Sequence, residues 1–169
     1  LYSLVYKKSD EAPSVVMKLS EIMRYMLYDA NAEKVMLKKE IEYLQSFIEL
    51  NELRLKEGKV TSFTITGDYS RQLIPPMLLI PFVENAFKHG SKKAVSPAIL
   101  IRLEMYDKGL EFDVVNYVDP AATVNKDLEG GIGLENVRKR LGLLYPGRHE
   151  LLVENGAGTY HVNLKIFAL

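Results

Sequence analysis

The sequence contains no cysteine. Disulfides, a thiolate nucleophile and cysteine-ligated zinc are therefore excluded, and the absence fits a reducing compartment. Neither sign of charge is in excess: 22 Lys and Arg stand against 22 Asp and Glu, for a formal net charge of zero. Both halves mix the two signs, so a surface that binds nucleic acid by neutralising phosphates is not expected. Long apolar runs are missing. The longest, Ile74 to Val83, carries Pro75, Pro76 and Pro81 and falls far short of the ~20 residues a membrane helix needs. There is no signal peptide, internal repeat or low-complexity tract. The three histidines, His89, His149 and His161, lack the His-x-x-x-His spacing of a zinc site. The Gly-x-Ser-x-Gly elbow, the Walker pattern and the Rossmann pattern are absent too. The chain starts at Leu1, in mid-pattern and without Met, and reads as a piece cut from something longer.

What is present is a chain of 169 residues, 47% hydrophobic, enough for one packed domain or a small domain with an appendage. Ser9-Asp10-Glu11 reads as a helix start, with Pro13 tolerable in the first turn. Val15, Leu19, Ile22 and Met26 follow at helical spacing, widened by Val16, Met23 and Leu27. Asp29 to Ala32 breaks the pattern. A second stripe, Leu37, Ile41, Leu44, Ile48 and Leu55 with Phe47 beside it, ends at Gly58. These are two antiparallel amphipathic helices of roughly five turns each, and two helices cannot bury both stripes alone. Either the pair packs on the following domain or it dimerises into a four-helix bundle.

After Gly58 the pattern changes. Val60 to Thr66 reads as a strand. Pro75-Pro76 opens an apolar segment, Met77 to His89, that reads as a buried helix closing at Gly90. Ala98 to Met105 and Leu110 to Val115 read as a hairpin turning at Asp107-Lys108-Gly109. Tyr117 to Gly131 is a long polar loop, Ile132 to Tyr145 a helix stopped by Pro146-Gly147, and Glu150–Glu154 and Thr159–Phe167 two last strands. Hairpins interspersed with helices predict an α+β fold with helices on one face of a sheet.

Two clusters could carry chemistry. On a helix, Glu84, Asn85, Lys88 and His89 put a carboxylate, an amide and a cation on neighbouring positions. The oxygens are hard ligands suited to Mg²⁺, and the Lys can meet phosphate as a point charge. An ordinary i,i+4 ion pair on an amphipathic helix accounts for the same residues. Gly130-Gly131-Ile132-Gly133-Leu134 precedes a helix whose free N–H groups favour anions; a hinge with a tight helix entry accounts for that equally. Gly156-Ala157-Gly158-Thr159 needs no more than a hairpin turn.

Together these motifs are more specific. "PFVENAFKHG" (81–90) resembles the N-box of the gyrase/Hsp90/histidine-kinase/MutL ATPase superfamily. "GGIGLENVRKRLGLLYP" (130–146) resembles its glycine box, and "GAGTYHVNLKI" (156–166) its closing strand. Upstream, residues 19–55 resemble the helical segment peculiar to LytS-like bacterial sensor histidine kinases. The resemblance covers essentially the whole chain. It implies an α+β, two-layer α/β sandwich of the histidine-kinase ATPase (Bergerat) type, preceded by an antiparallel helix pair. Residues 1–57 would be the helical dimerisation and phosphotransfer segment and 58–169 the ATP-binding catalytic domain.

The same resemblance implies roles. Asn85 would coordinate Mg²⁺ bridging the ATP phosphates, with Glu84 orienting the metal shell. Lys88 and His89 would contact phosphate or ribose. Gly131, Gly133 and Leu134 would shape the lid and offer backbone N–H groups, and Thr159 would lie at the back of the pocket. Asn116 stands where many members carry an Asp that reads the adenine amino group; an Asn can both donate and accept there. The family's phosphoacceptor His sits in an Asn-Pro-His-Phe segment expected just before Leu1. The implied partners are ATP, a response regulator and a second copy through the helical segment, with no nucleic acid. The implied location is the cytoplasmic side of an inner-membrane protein. A nucleotide-free or regulatory pseudokinase that works by dimerising, and a hydrolysing ATPase of the gyrase or MutL type, are the alternatives. Residues 119–130, the lid, are expected to be mobile without ligand.

Overall fold

The computed structural model describes residues 10–55, 60–90, 97–118, 132–156 and 158–169. Helix α1 (Ala12–Arg24) has Pro13 in its first turn, where a missing N–H matters little, and enters from Glu11 without a side-chain cap. It runs on into a π-turn, Tyr25–Asp29. The buried line on α1 is narrower than the sequence stripe. Val15, Ile22 and Tyr25 are buried, whereas Leu19 is 37% and Met26 48% exposed. The reason lies across the helix pair: the Tyr25 ring stacks on Tyr43 with centroids 4.6 Å apart, which turns Met23, Met26 and Leu27 outward.

Helix α2 (Leu37–Leu55) buries Leu37, Ile41, Leu44 and Ile48 as its periodicity predicts. These side chains belong to the same core as the sheet, which covers this stripe together with α3. Phe47 meets Phe87 edge-on at 6.0 Å. A two-residue ladder that the sequence does not signal, β1 (Val35–Met36) with β3 (Leu73–Ile74), adds a second tie.

The main sheet holds β2 (Thr61–Thr66), β4 (Ile99–Tyr106), β5 (Gly109–Tyr117), β6 (His149–Gly156) and β7 (Thr159–Phe167). Its order is β2-β4-β5-β7-β6; β2 runs parallel to β4 and the other neighbours are antiparallel. Strict alternation in β4 sends Ile99, Ile101, Leu103 and Met105 inward. Helices α3 (Ile80–His89) and α4 (Ile132–Leu144) supply Phe82, Val83, Ala86, Val137 and Leu141 to the core on that side. The result is the expected two-layer α/β sandwich preceded by an antiparallel helix pair. Helix α3 is shorter than predicted: Met77 to Leu79 precede it as a turn, because Met77 takes a left-handed φ of 56°.

That turn is clasped from two sides. Glu40 of α2, fully buried, accepts hydrogen bonds from the backbone N–H of Met77 (2.9 Å) and of Leu79 (3.1 Å) and from the Tyr25 hydroxyl. Arg140 of α4 donates to the carbonyls of Pro76 (2.7 Å) and Met77 (3.2 Å). Leu79 is the N-cap of α3 and has no side-chain cap of its own, so Glu40 satisfies a donor that the helix leaves open. Burial and the Glu40 carboxylate together push the Tyr25 phenol far above its ordinary pKa. Glu40→Ala leaves one hydroxyl and two backbone N–H groups unpaired, with an expected loss of about 2–4 kcal/mol in urea unfolding. Glu40→Gln, which keeps an acceptor oxygen, should lose less; equal stability of Glu40→Ala and the parent would refute the clasp.

Candidate functional site

Helix α3 buries Ile80, Phe82, Val83 and Ala86. Its other face carries the predicted polar residues: Glu84 and Lys88 exposed, Asn85 and His89 half-buried. Lys88 and His89 lie in the last turn, where cations suit the helix dipole. The Glu84 carboxylate is within electrostatic reach of the helix pair. Burial first, and then Glu84 and Glu40, push the Tyr43 phenol up to about 12.

Gly90 ends α3 in an extended conformation and donates its N–H to the Ala86 carbonyl at 2.8 Å. A Cβ at Gly90 would stand 2.5 Å from that carbonyl oxygen and 3.7 Å from the Cβ of Asn116. The end of α3 thus lies close to Asn116, and the steric demand for glycine at position 90 comes from the Ala86 carbonyl. Asn116 is fully buried on the helix-facing side of β5, in register with Ile99 on one side and Tyr160 on the other. Neither its Nδ2 nor its Oδ1 has a hydrogen-bond partner. An unsatisfied buried amide costs about 1–3 kcal/mol and calls for an explanation.

The glycine box opens α4. Gly133 is exposed, with nothing within 4 Å of a Cβ built on it, and Leu134 packs half-buried on the core. Gly131 and the lid expectation for 119–130 lie outside the described residues. Thr159 pairs with Tyr117, one residue out of phase with Asn116, and so faces the other side of the sheet. The inner-face neighbour of Asn116 on β7 is Tyr160, 3% exposed. Strand alternation, read in register with Asn116, is the signal that would have found it.

The structure therefore brings Asn116, Tyr160 and the C-terminal end of α3 together, with α4 packed alongside α3. Thr159 instead lines a shallow pocket of about 500 Å³ on the open face with Val115, Glu154, Asn155, Gly156 and His161. Beside it Asp113 accepts hydrogen bonds from Arg102 (2.8 Å) and Asn163 (2.8 Å) and contacts His161 Nε2 (2.9 Å). Burial raises the Asp113 pKa, but these partners outweigh it and hold the carboxyl below its usual range. No cluster of three or more His, Asp or Glu side chains suited to a metal exists among the described residues.

The histidine-kinase family profile matches residues 1–59. Sensor protein LytS of Oceanobacillus iheyensis is 28% identical over 92% of this chain and 29% of that protein. LytS of Enterococcus faecalis is 25% identical over 97% of this chain and 30% of its own length. The chain is homologous to the LytS sensor histidine kinases. It spans less than a third of the length of these LytS relatives. Sensor histidine kinases are protein histidine kinases, a class of transferase. Among solved structures, the Acinetobacter baumannii histidine kinase AdeS superposes with a TM-score of 0.56 at 16% identity, covering 99% of this chain and 83% of that one. The catalytic domain of histidine kinase ThkA gives 0.56 at 17% identity, covering 80% and 94%. These two show the fold. Among the described residues no helix is long and apolar enough to cross a membrane.

Gly90→Ala should cost about 1–3 kcal/mol in thermal or urea unfolding, since the new Cβ meets a backbone carbonyl rather than a flexible side chain; an unchanged midpoint would show that α3 can end otherwise. The lowered Asp113 pKa stabilises the fold above the ordinary carboxylate range near about pH 4 and ceases to do so as pH falls through the folded value. Asp113→Asn should therefore flatten the acid limb of a stability–pH curve, and an unaltered limb would exclude Asp113 as its source.

Proposed function

We propose that this chain is the ATP-binding catalytic core of a two-component sensor histidine kinase. In this reading residues 58–169 hold ATP, and residues 1–57 are the dimerisation and phosphotransfer segment. The γ-phosphoryl group passes to a histidine upstream of Leu1 and from there to an aspartate of a response regulator. The parent protein would be anchored in the inner membrane with this part in the cytoplasm.

The observation that carries the reading is the fully buried Asn116 amide with both polar atoms unpaired, beside the end of a helix that presents Glu84, Asn85, Lys88 and His89. A purine base supplies the hydrogen bonds that the protein withholds. The donor chemistry also fits Mg²⁺: the half-buried Asn85 offers an amide oxygen, and Mg²⁺ takes most remaining ligands from phosphate and water rather than from a protein cage. ATP contributes the transferable phosphoryl group, and Mg²⁺ neutralises its charge. The chain's own residues position and stabilise, which is most of what phosphoryl transfer asks of a protein. Asn85 would hold the metal and Glu84 orient its shell. Lys88 and His89 would meet phosphate or ribose. Gly131, Gly133 and Leu134 would form the lid base, with Thr159 farther from the base on the opposite sheet face.

The outward face of α1 supports the dimer. Val16, Met17, Met23, Met26 and Leu27 are 44–64% exposed at helical spacing, an apolar stripe of the kind a second copy covers in a four-helix bundle.

Calorimetry with a non-hydrolysable ATP analogue and Mg²⁺ tests the reading. Binding should be lost in Asn85→Ala and weakened about tenfold or more in Lys88→Ala. No binding at millimolar nucleotide would instead support the pseudokinase reading. A longer chain that includes the upstream histidine should take label from γ-labelled ATP, and phosphate release by this fragment, abolished in Glu84→Gln, would point to a hydrolysing ATPase.

A further inference from the structure

Asn116 differs from the other buried polar side chains among the described residues. Glu40, Ser46 and Asp113 are all hydrogen-bonded through their side chains. Thr61 leaves one hydroxyl unpaired, whereas Asn116 leaves both a donor and an acceptor unpaired in the same group. Ile99 and Tyr160 flank it in register and offer it no polar atom of their own side chains that it uses.

Two consequences follow from elementary hydrogen-bond chemistry. A carboxylate at this position would only accept. An amide presents one donor and one acceptor side by side, which complements two adjacent groups of opposite kind. The Watson–Crick edge of a 6-amino purine offers a donor at N6 and an acceptor at N1. That of a 6-oxo purine offers an acceptor at O6 and a donor at N1. The two patterns are mirror images, and an amide matches either one after a half-turn about its last side-chain torsion. In most buried asparagines a protein partner fixes which end points where. Neither Oδ1 nor Nδ2 has a hydrogen-bond partner here, so among the described residues no hydrogen bond selects one orientation over the other.

We infer that Asn116 makes this a purine site tolerant of both classes, so that 6-oxo purine triphosphates bind as well as ATP. The inference rests on the nucleotide-binding reading above and deepens it, since it concerns which base that site accepts. A site with one fixed polar pattern rejects the mirror-image base strongly, because a mismatched buried group is left unpaired. A site whose amide is held by no hydrogen bond of the protein does not.

The test compares non-hydrolysable adenosine and inosine triphosphate analogues by calorimetry on the 1–169 chain with Mg²⁺. Inosine carries the 6-oxo edge without the extra 2-amino group of guanine, so only the edge pattern changes. Dissociation constants within about tenfold of each other are expected. An inosine analogue weaker by more than that, with the adenosine analogue binding, overturns this inference and leaves the ATP reading intact. Failure of both to bind overturns both. Asn116→Leu supplies a second readout that a structural role would not produce. It removes an unsatisfied amide at nearly constant shape, so the melting temperature of the free chain should rise by about 2–4 °C while both analogues weaken by a similar factor. A fall in melting temperature with binding retained would assign Asn116 to the fold and overturn the inference. If the leucine is too bulky to fold, Asn116→Ala gives the same binding comparison.

Discussion

A buried carboxylate is the polar link between the helix pair and the rest of this chain, set within the core they share. Glu40 projects from the helix pair into the turn that starts α3, and there it accepts three hydrogen bonds, from two backbone amides and a tyrosine hydroxyl. The acceptor is desolvated, so each bond counts for more than it would at the surface, and each donor would be stranded without it. The turn itself is not a relaxed one. It contains a non-glycine residue in the left-handed region, a conformation that persists only where its surroundings over-determine it. Glu40 grips its N–H groups and Arg140 its carbonyls. The helix that bears the candidate phosphate and metal ligands therefore starts where α2 and α4 jointly put it.

This arrangement gives a physical route by which the helix pair and the candidate site can sense each other. Tyr25 opens the π-turn that follows α1, Glu40 belongs to α2 and Leu79 to the entry of α3, and they are linked through one carboxylate. The stacked Tyr25 and Tyr43 rings and the Phe47–Phe87 contact reinforce the same seam. A change in how α1 lies on α2 has to be absorbed at Tyr25, where the hydroxyl is both buried and committed to Glu40.

Much of the architecture was legible in the sequence because it follows from periodicity. The period-two pattern of Ile99 to Met105 and the α2 stripe at Leu37, Ile41, Leu44 and Ile48 are burial signals, and burial decided them. The Glu-Asn-x-x-Lys-His helix and its terminal glycine were likewise visible as a motif. Glu40 was not. A carboxylate next to a buried stripe looks like any solvated charge until the chain 37 residues on supplies its donors. The β1–β3 ladder was hidden for the same reason, since two residues carry no periodicity. On the first helix the buried stripe is narrower than its spacing predicts, because sequence spacing cannot say that a neighbouring ring favours Tyr25 over Met26. The face of Thr159 was a matter of phase: one residue along a strand reverses the side it points to.

Strand β2 joins the sheet by a parallel pairing with β4. Parallel neighbours cannot be linked by a tight turn; the chain must cross over the sheet first. Here α3 lies between the two strands in the chain, and the clasped turn at its entry belongs to that crossover. The outermost strand on that side, the α3 helix and the docking of the helix pair are thus bound into one cooperative unit. The β4–β5 and β6–β7 pairs complete the sheet and contribute to the same core.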